Sequence, residues 1–220
     1  MMVFGWDVIE IVEAVEAGLR SQAQACDAEQ AVYGIDGLDE LELHPMIQDS
    51  LKQATYGVWP EQRYPSHRPA RPRRRRSEGQ RCDIVLTSDT DQPLVEPDAE
   101  ATLFAEENAL PLEAAYWLEI KTVSQFTTEG PFPHYSKELL SPVARDIRKL
   151  ADDPLIFHAG LLLILFTADQ STAEHDLQAW EQRCLRRGLP VAPPVARHFK
   201  ITDRLGNGIT SVGLFPVRRL

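Results

Sequence analysis

Three charged residues stand where a buried sheet should carry none. In "YWLEIKTV", residues 116–123, the strand period of two sends Trp117, Glu119 and Lys121 to one face and Leu118, Ile120 and Thr122 to the other. A second strand-like segment, "RCDIVL", carries Asp83 in the sense opposite to Cys82 and Ile84. If the two strands are neighbours, Asp83 sits beside Glu119. Two carboxylates packed near a core repel each other and resist ionisation unless something positive lies between them. A divalent cation held by oxygens answers that need, with the amine of Lys121 close by.

The elements that must position these groups are legible from periodicity. Val8, Ile11, Val12, Val15 and Leu19 form one helical stripe. A second helix is expected from about Leu38 to Ala54, with Leu43, Ile47, Leu51 and Ala54 at helical spacing and Pro45 awkward unless it lies in the first turn or at a kink. "YGVWPEQRYP" is expected to be extended and "RCDIVLTS" to be a short strand. Between that strand and "YWLEIKTV" lies an acidic stretch, 88–113, which contains Pro93, Pro97 and Pro111 and reads as an insertion with a helical turn around "EATLFAEE".

"KELLSPVARDIRKLADD" is expected to be one helix, with Leu139, Leu140, Val143, Ile147 and Leu150 inward. "GLLLILFTA" suits a central strand buried on both faces. "STAEHDLQAWEQRCLRRG" predicts an amphipathic helix with Ala173, Leu177, Trp180 and Cys184 inward and Gly188 as its C-terminal cap. The final segment reads as a hairpin turning near "GNG". The order is helix, helix, three strands, helix, strand, helix, hairpin, which makes an α/β protein with a mixed central β-sheet flanked by helices.

The 220 residues suit a single domain, 1–220, and 43% apolar with 25% charged residues is the balance of a soluble globular chain. The first residues lack a basic region and carry acids within their apolar pattern, unlike a secretion signal. The longest apolar run, "GLLLILF", is far short of a membrane helix. Three cysteines, Cys26, Cys82 and Cys184, match no paired metal-ligand spacing and read as free thiols in a reducing cytoplasm. The net charge of -10 conceals two opposite patches, a basic stretch at 63–81 and the acidic one at 88–113.

A helix bearing an acid, a strand with "CD", a strand with "LEIK", a helix and a buried strand resemble the PD-(D/E)XK nuclease superfamily over about residues 38–168. The resemblance implies a restriction-endonuclease-like core, here with an extra N-terminal helix and a C-terminal hairpin. Asp83 matches the motif's Asp, Glu119 its second acid and Lys121 its lysine. It implies that Asp83, Glu119 and the Ile120 carbonyl bind Mg2+ or Mn2+, and that Lys121 positions or activates the attacking water and stabilises the phosphorane-like transition state.

The family's further acid sits on the first core helix. Glu40 precedes Leu43, Ile47 and Leu51 at helical spacing and is preferred as catalytic and metal-binding residue. Glu42 lies about 200° away at roughly 100° per residue, and becomes the candidate if the segment before His44 is not regular helix. The sequence departs from the family in having Cys82 where proline is usual, and in the long gap from Asp83 to Glu119, across which the acidic insertion must loop out.

On that background Arg71, Arg73, Arg74, Arg75 and Arg76 are candidates for phosphate contact. Gln125 resembles a glutamine that some branches place near the site, as an accessory. Tyr135, Lys137, Arg145 and Lys149 could reach the site or the phosphate backbone from the following helix, or be surface charge only. The histidines show no paired ligand spacing, and His44, near a proposed acid, reads as capping or packing. Trp59, Trp117 and Trp180 read as core. The expected function is metal-dependent hydrolysis of phosphodiester bonds in DNA, with RNA left open as a substrate and a protein partner or homodimer as possible company. The alternatives are a non-catalytic nuclease-like domain that binds nucleic acid or a protein, and an enzyme using two carboxylates without metal.

Overall fold

A computed structural model describes residues 5–67, 80–95, 108–140 and 143–219, apart from the side chains of His67 and Val143. Its helices are α1 (Val8–Ala28), α2 (Glu40–Gln53), α3 (Tyr135–Leu140), α4 (Val143–Asp152) and α5 (Gln170–Arg186). Its strands are β1 (Gly57–Arg63), β2 (Arg81–Thr87), β3 (Tyr116–Ser124), β4 (Phe126–Thr127), β5 (Gly130–Pro131), β6 (His158–Thr167), β7 (Val195–Lys200) and β8 (Ile209–Val217). The arginines 71 and 73–76, and the whole "EATLFAEE" turn, lie outside the described residues.

Six strands form one mixed sheet in the order β1-β2-β3-β6-β8-β7, and β4 and β5 make a separate two-stranded ribbon. The sheet is antiparallel except at its centre, where β3 runs parallel to β6 from Tyr116↔His158 to Ser124↔Phe166. A parallel pair needs a crossover, and α3 and α4 provide it. β6, flanked by β3 and β8 and covered on both faces, is a continuous apolar run buried from Ala159 to Thr167.

The period of two sorts the sheet's side chains into two layers. Ile84, Leu118, Ile120, Leu162 and Ile164 pack under α1 and α2, against Ile11, Leu19, Leu43, Ile47 and Leu51. Val85, Trp117, Leu161 and Leu163 pack under α4 and α5, against Ile147, Leu150, Leu177 and Trp180. Burying each of the larger aliphatic side chains contributes roughly 1.5–3 kcal/mol. Where α1 crosses α2, a side chain at Gly18 would collide with Ser50, so the glycine lets the two helices meet at close range.

The α2 helix runs through Pro45, which sits on the exposed side beyond the first turn. Proline's missing amide costs one bond to the carbonyl of Leu41, a residue 70% exposed, where water replaces it.

Of the helix expected over 137–153, the described residues form α3 and α4, with 141–142 between them outside the described residues. The expected terminal hairpin is present: β7 pairs antiparallel with β8, and an eight-residue connection, 201–208, that ends in "GNG" joins them. Of the acidic insertion, the described flanks close on each other through a bridge between Leu94 and Leu110.

Candidate active site

The site begins where β2 parts from β3. Their pairing extends over Leu86↔Tyr116, Val85↔Trp117 and Ile84↔Leu118 and then stops. Beyond that point side chains take over the ladder. The Asp83 carboxylate accepts the Ile120 amide at 2.8 Å, and Glu40 Oε2 accepts the Thr122 amide at 3.0 Å. A sheet edge left inside a protein must have its amides satisfied, and two acids replace the departing strand as acceptors. The N–H and C=O of one residue in a strand face the same neighbour, so the Ile120 carbonyl looks into the same gap as Asp83.

The regular alternation of β2 breaks here. Cys82 packs in the α4 and α5 layer with Val85, while Ile84 belongs to the opposite layer. The Cys82 thiol is 3.3 Å from the Leu118 carbonyl. On β1, Glu61 stands level with Asp83 between the Pro60↔Ile84 and Gln62↔Cys82 pairs, and its φ of 55° puts a non-glycine residue in the left-handed region.

Glu40 is delivered by the start of α2. Asp39 caps the helix, its carboxylate accepting the Glu42 amide at 2.9 Å while the Glu42 carboxylate accepts the Asp39 amide at 2.8 Å. Glu42 is thus occupied in the capping box. Glu40, at the first helical position, reaches Lys121 Nζ at 3.0 Å through Oε1. Burial opposes the charge on Lys121, but the Glu40 carboxylate beside it outweighs that and holds the amine above its ordinary pKa. Lys121 is therefore an ammonium at neutral pH, suited to stabilising negative charge and not to abstracting a proton.

Glu119 is 3% exposed and lies on the α4 side. The Tyr64 hydroxyl donates to its Oε1, and Lys149 Nζ approaches the same oxygen at 3.9 Å while pairing with Asp146 at 2.6 Å. Burial, and then the nearby charge of Asp83, push the Glu119 carboxyl up to about 8, against the smaller opposing effects of Tyr64 and Lys149. No hydrogen bond among the described residues reaches Asp83 Oδ1 or Glu119 Oε2.

These facts bear on the implied metal. Among the described residues no three His, Cys, Asp or Glu side chains converge as a ready metal cluster. Glu40 stands with Lys121 and Thr122 and does not complete a three-acid set. What remains is two crowded carboxyls, each with an unbonded oxygen, and a backbone carbonyl facing the same gap. Such hard oxygen donors, whose charged forms oppose each other, fit a magnesium- or manganese-sized cation that would relieve their repulsion.

Lys121, with Arg145, Asp146, Arg148, Lys149 and Asp153 among others, lines a cleft of about 1010 Å³. Arg145 and Lys149 thus reach the cleft, whereas Tyr135 donates to Asp176 at 2.8 Å and Lys137 is exposed outside it. Gln125 is not brought to the site: its side chain accepts the Ala168 amide at 3.0 Å, beyond the end of β6. His44 is buried in α2, with Nε2 unpartnered among the described residues. Tyr64 and Asp146 were missed in the sequence. Tyr64 is 55 positions from Glu119, and Asp146 lies in the charged run "RDIRK", so neither had a local signal.

Among the described residues no helix is long and apolar enough to cross a membrane. The chain matches no family model, no curated protein and no solved structure in the comparisons made.

Proposed function

We propose that the chain is a divalent-metal-dependent nuclease with a restriction-endonuclease-like core, hydrolysing phosphodiester bonds in DNA. The observation that carries this reading is Asp83 on the Ile120 amide at 2.8 Å, its charge felt by the buried Glu119, with Lys121 held by Glu40 at 3.0 Å. The run α2, β1, β2, β3, α4, β6, with β3 parallel to β6, supports the fold assignment.

Asp83, Glu119 and Ile120 O would hold Mg2+ or Mn2+. When bound, the ion would supply Lewis-acid polarisation of a phosphate oxygen and a lowered pKa for the attacking water. The Ile120 amide fixes Asp83, and Tyr64 and Lys149 fix Glu119. Lys121 presents its ammonium to the charge that builds on phosphorus, and Glu40 sets its direction. The test is cleavage of plasmid, linear and single-stranded DNA by purified protein in magnesium or manganese, with calorimetry of metal binding to the wild type and Asp83→Ala. No cleavage of any DNA or RNA form, with no metal binding lost in Asp83→Ala, would sink the reading.

One observation favours a second reading. Asp83 and Glu40 both serve as acceptors for β3 amides, a purely structural task that a non-catalytic nucleic-acid-binding domain would also need. Salt-dependent DNA binding that is unchanged in Lys121→Ala, without cleavage, would select it.

A further inference from the structure

The α4 helix presents three cations at the spacing i, i+3, i+4, namely Arg145, Arg148 and Lys149, which therefore share one face. All three line the cleft that Lys121 also borders. The opposite face of α4 is anchored by Ile147, Leu150 and Ala151 in the core, so the helix cannot roll this face away. The cleft's acids are largely engaged elsewhere. Asp146 pairs with Lys149 at 2.6 Å, and Asp153 accepts the Ser66 amide at 3.0 Å and hydroxyl at 2.7 Å. Arg145 and Arg148 are exposed and have no ion pair among the described residues, whereas Arg20, Arg197 and Arg204 are each paired with an acid. Asp152, one turn beyond Arg148, is the only exposed acid lining the cleft among the described residues, at the other end of this face.

In a chain of net charge -10, two unpaired guanidiniums facing a cleft select for an anionic ligand. Guanidinium suits phosphate by its planar, bidentate donors. We infer that Arg145 and Arg148 form a phosphate-binding wall that carries one nucleic-acid strand along α4 toward Lys149, Glu119 and Lys121. The inference rests on the nuclease reading only in naming the polyanion as a nucleic acid. The strand's reacting phosphate lies by Lys121, its neighbours are held by Arg148 and Arg145, and Asp152 repels it from the far end.

The experiment is fluorescence anisotropy of a labelled single-stranded oligonucleotide across a salt series, with calcium in place of magnesium and the strand checked for integrity on a gel. Arg145→Gln with Arg148→Gln is expected to weaken binding about tenfold at ~0.1 M salt and to flatten the log–log salt slope by about 1.4, at ~0.7 per phosphate contact on a single strand. Arg145→Lys with Arg148→Lys should keep most of the slope, and Arg186→Gln on α5 should leave it unchanged. An unchanged slope in the double glutamine variant, or no binding by the wild type, overturns the inference. If binding follows these arginines but no condition gives cleavage, the inference stands and the hydrolytic reading falls. If cleavage occurs with the same KM in wild type and double glutamine variant, the reverse holds.

Discussion

Glu40 and Lys121, 81 positions apart in the chain, meet at 3.0 Å, and the second oxygen of Glu40 holds the amide of Thr122 at the same distance. One carboxylate therefore ties α2 to β3 and aims the amine at the cleft. Removing it breaks both links.

Lys121→Ala is expected to lower cleavage by about 10²-fold or more while leaving the fold intact, since the loss falls on charge stabilisation at phosphorus. Glu40→Gln keeps an acceptor for the Thr122 amide but loses the ion pair, so it should cost less, about tenfold, mainly in kcat. Combining the two should cost no more than Lys121→Ala alone, because Glu40 acts through the lysine. Single-turnover kinetics on the three variants measures this, and additive losses would show that Glu40 has a role of its own.

Glu119 makes stability depend on pH when no metal is present. Its folded pKa of about 8 is raised above the ordinary carboxylate value of 4.5, chiefly by burial. Between those values the folded state binds the extra proton, so its contribution is full below about pH 4.5 and is lost as pH rises through 8. In chelator, Glu119→Gln should raise Tm at pH 9 by roughly 5 °C and leave it nearly unchanged near pH 5. Added magnesium should restore the wild type and not the variant. A pH-independent difference in scanning calorimetry would count against the buried acid.

Tyr64→Phe removes a hydroxyl that donates to Glu119 and helps hold the carboxylate form. The Glu119 pKa then rises further, and magnesium has to displace the proton more often at neutral pH. Metal affinity near pH 7 should fall several-fold, with the difference from wild type shrinking as pH is raised. Isothermal titration at two pH values checks it.

Asp39→Ala should cost about 1 kcal/mol, a lowering of roughly 2–4 °C in Tm, by removing the α2 cap. Because Glu40 is the next residue, activity should fall as well. Glu42→Gln should reproduce a smaller part of the stability loss and leave the chemistry intact. A catalytic collapse in Glu42→Gln with a normal Tm would exchange the roles of the two acids.

The order of elements was open to reading because it depends on local rules. A continuous apolar run makes β6, a 3.6-residue stripe makes α1 and α5, and Gly188, at φ 65°, ends α5 as a glycine placed there should.

The site was legible by type and only partly by place. Strand alternation put Glu119 and Lys121 on one face, and Glu119 lies 3.9 Å from Lys149 of α4 while Lys121 lines the cleft beside that helix. It also suggested that Asp83 would simply stand opposite Glu119, whereas the strands part at that level and Asp83 turns to bond the Ile120 amide. No periodicity encodes where two strands diverge, since that depends on what else must fit.

By itself, then, the sequence determined the α/β class, the faces of the helices and the chemical kinds of residue available, because those follow from spacing along one chain. Only the tertiary structure decided that Glu40 and not Glu42 meets Lys121, that Gln125 serves the end of β6, and that Tyr64, Asp146 and Lys149 surround Glu119. Those relations join positions tens of residues apart. They exist only once a twisted sheet, packed between two helical layers, brings their backbones within side-chain reach.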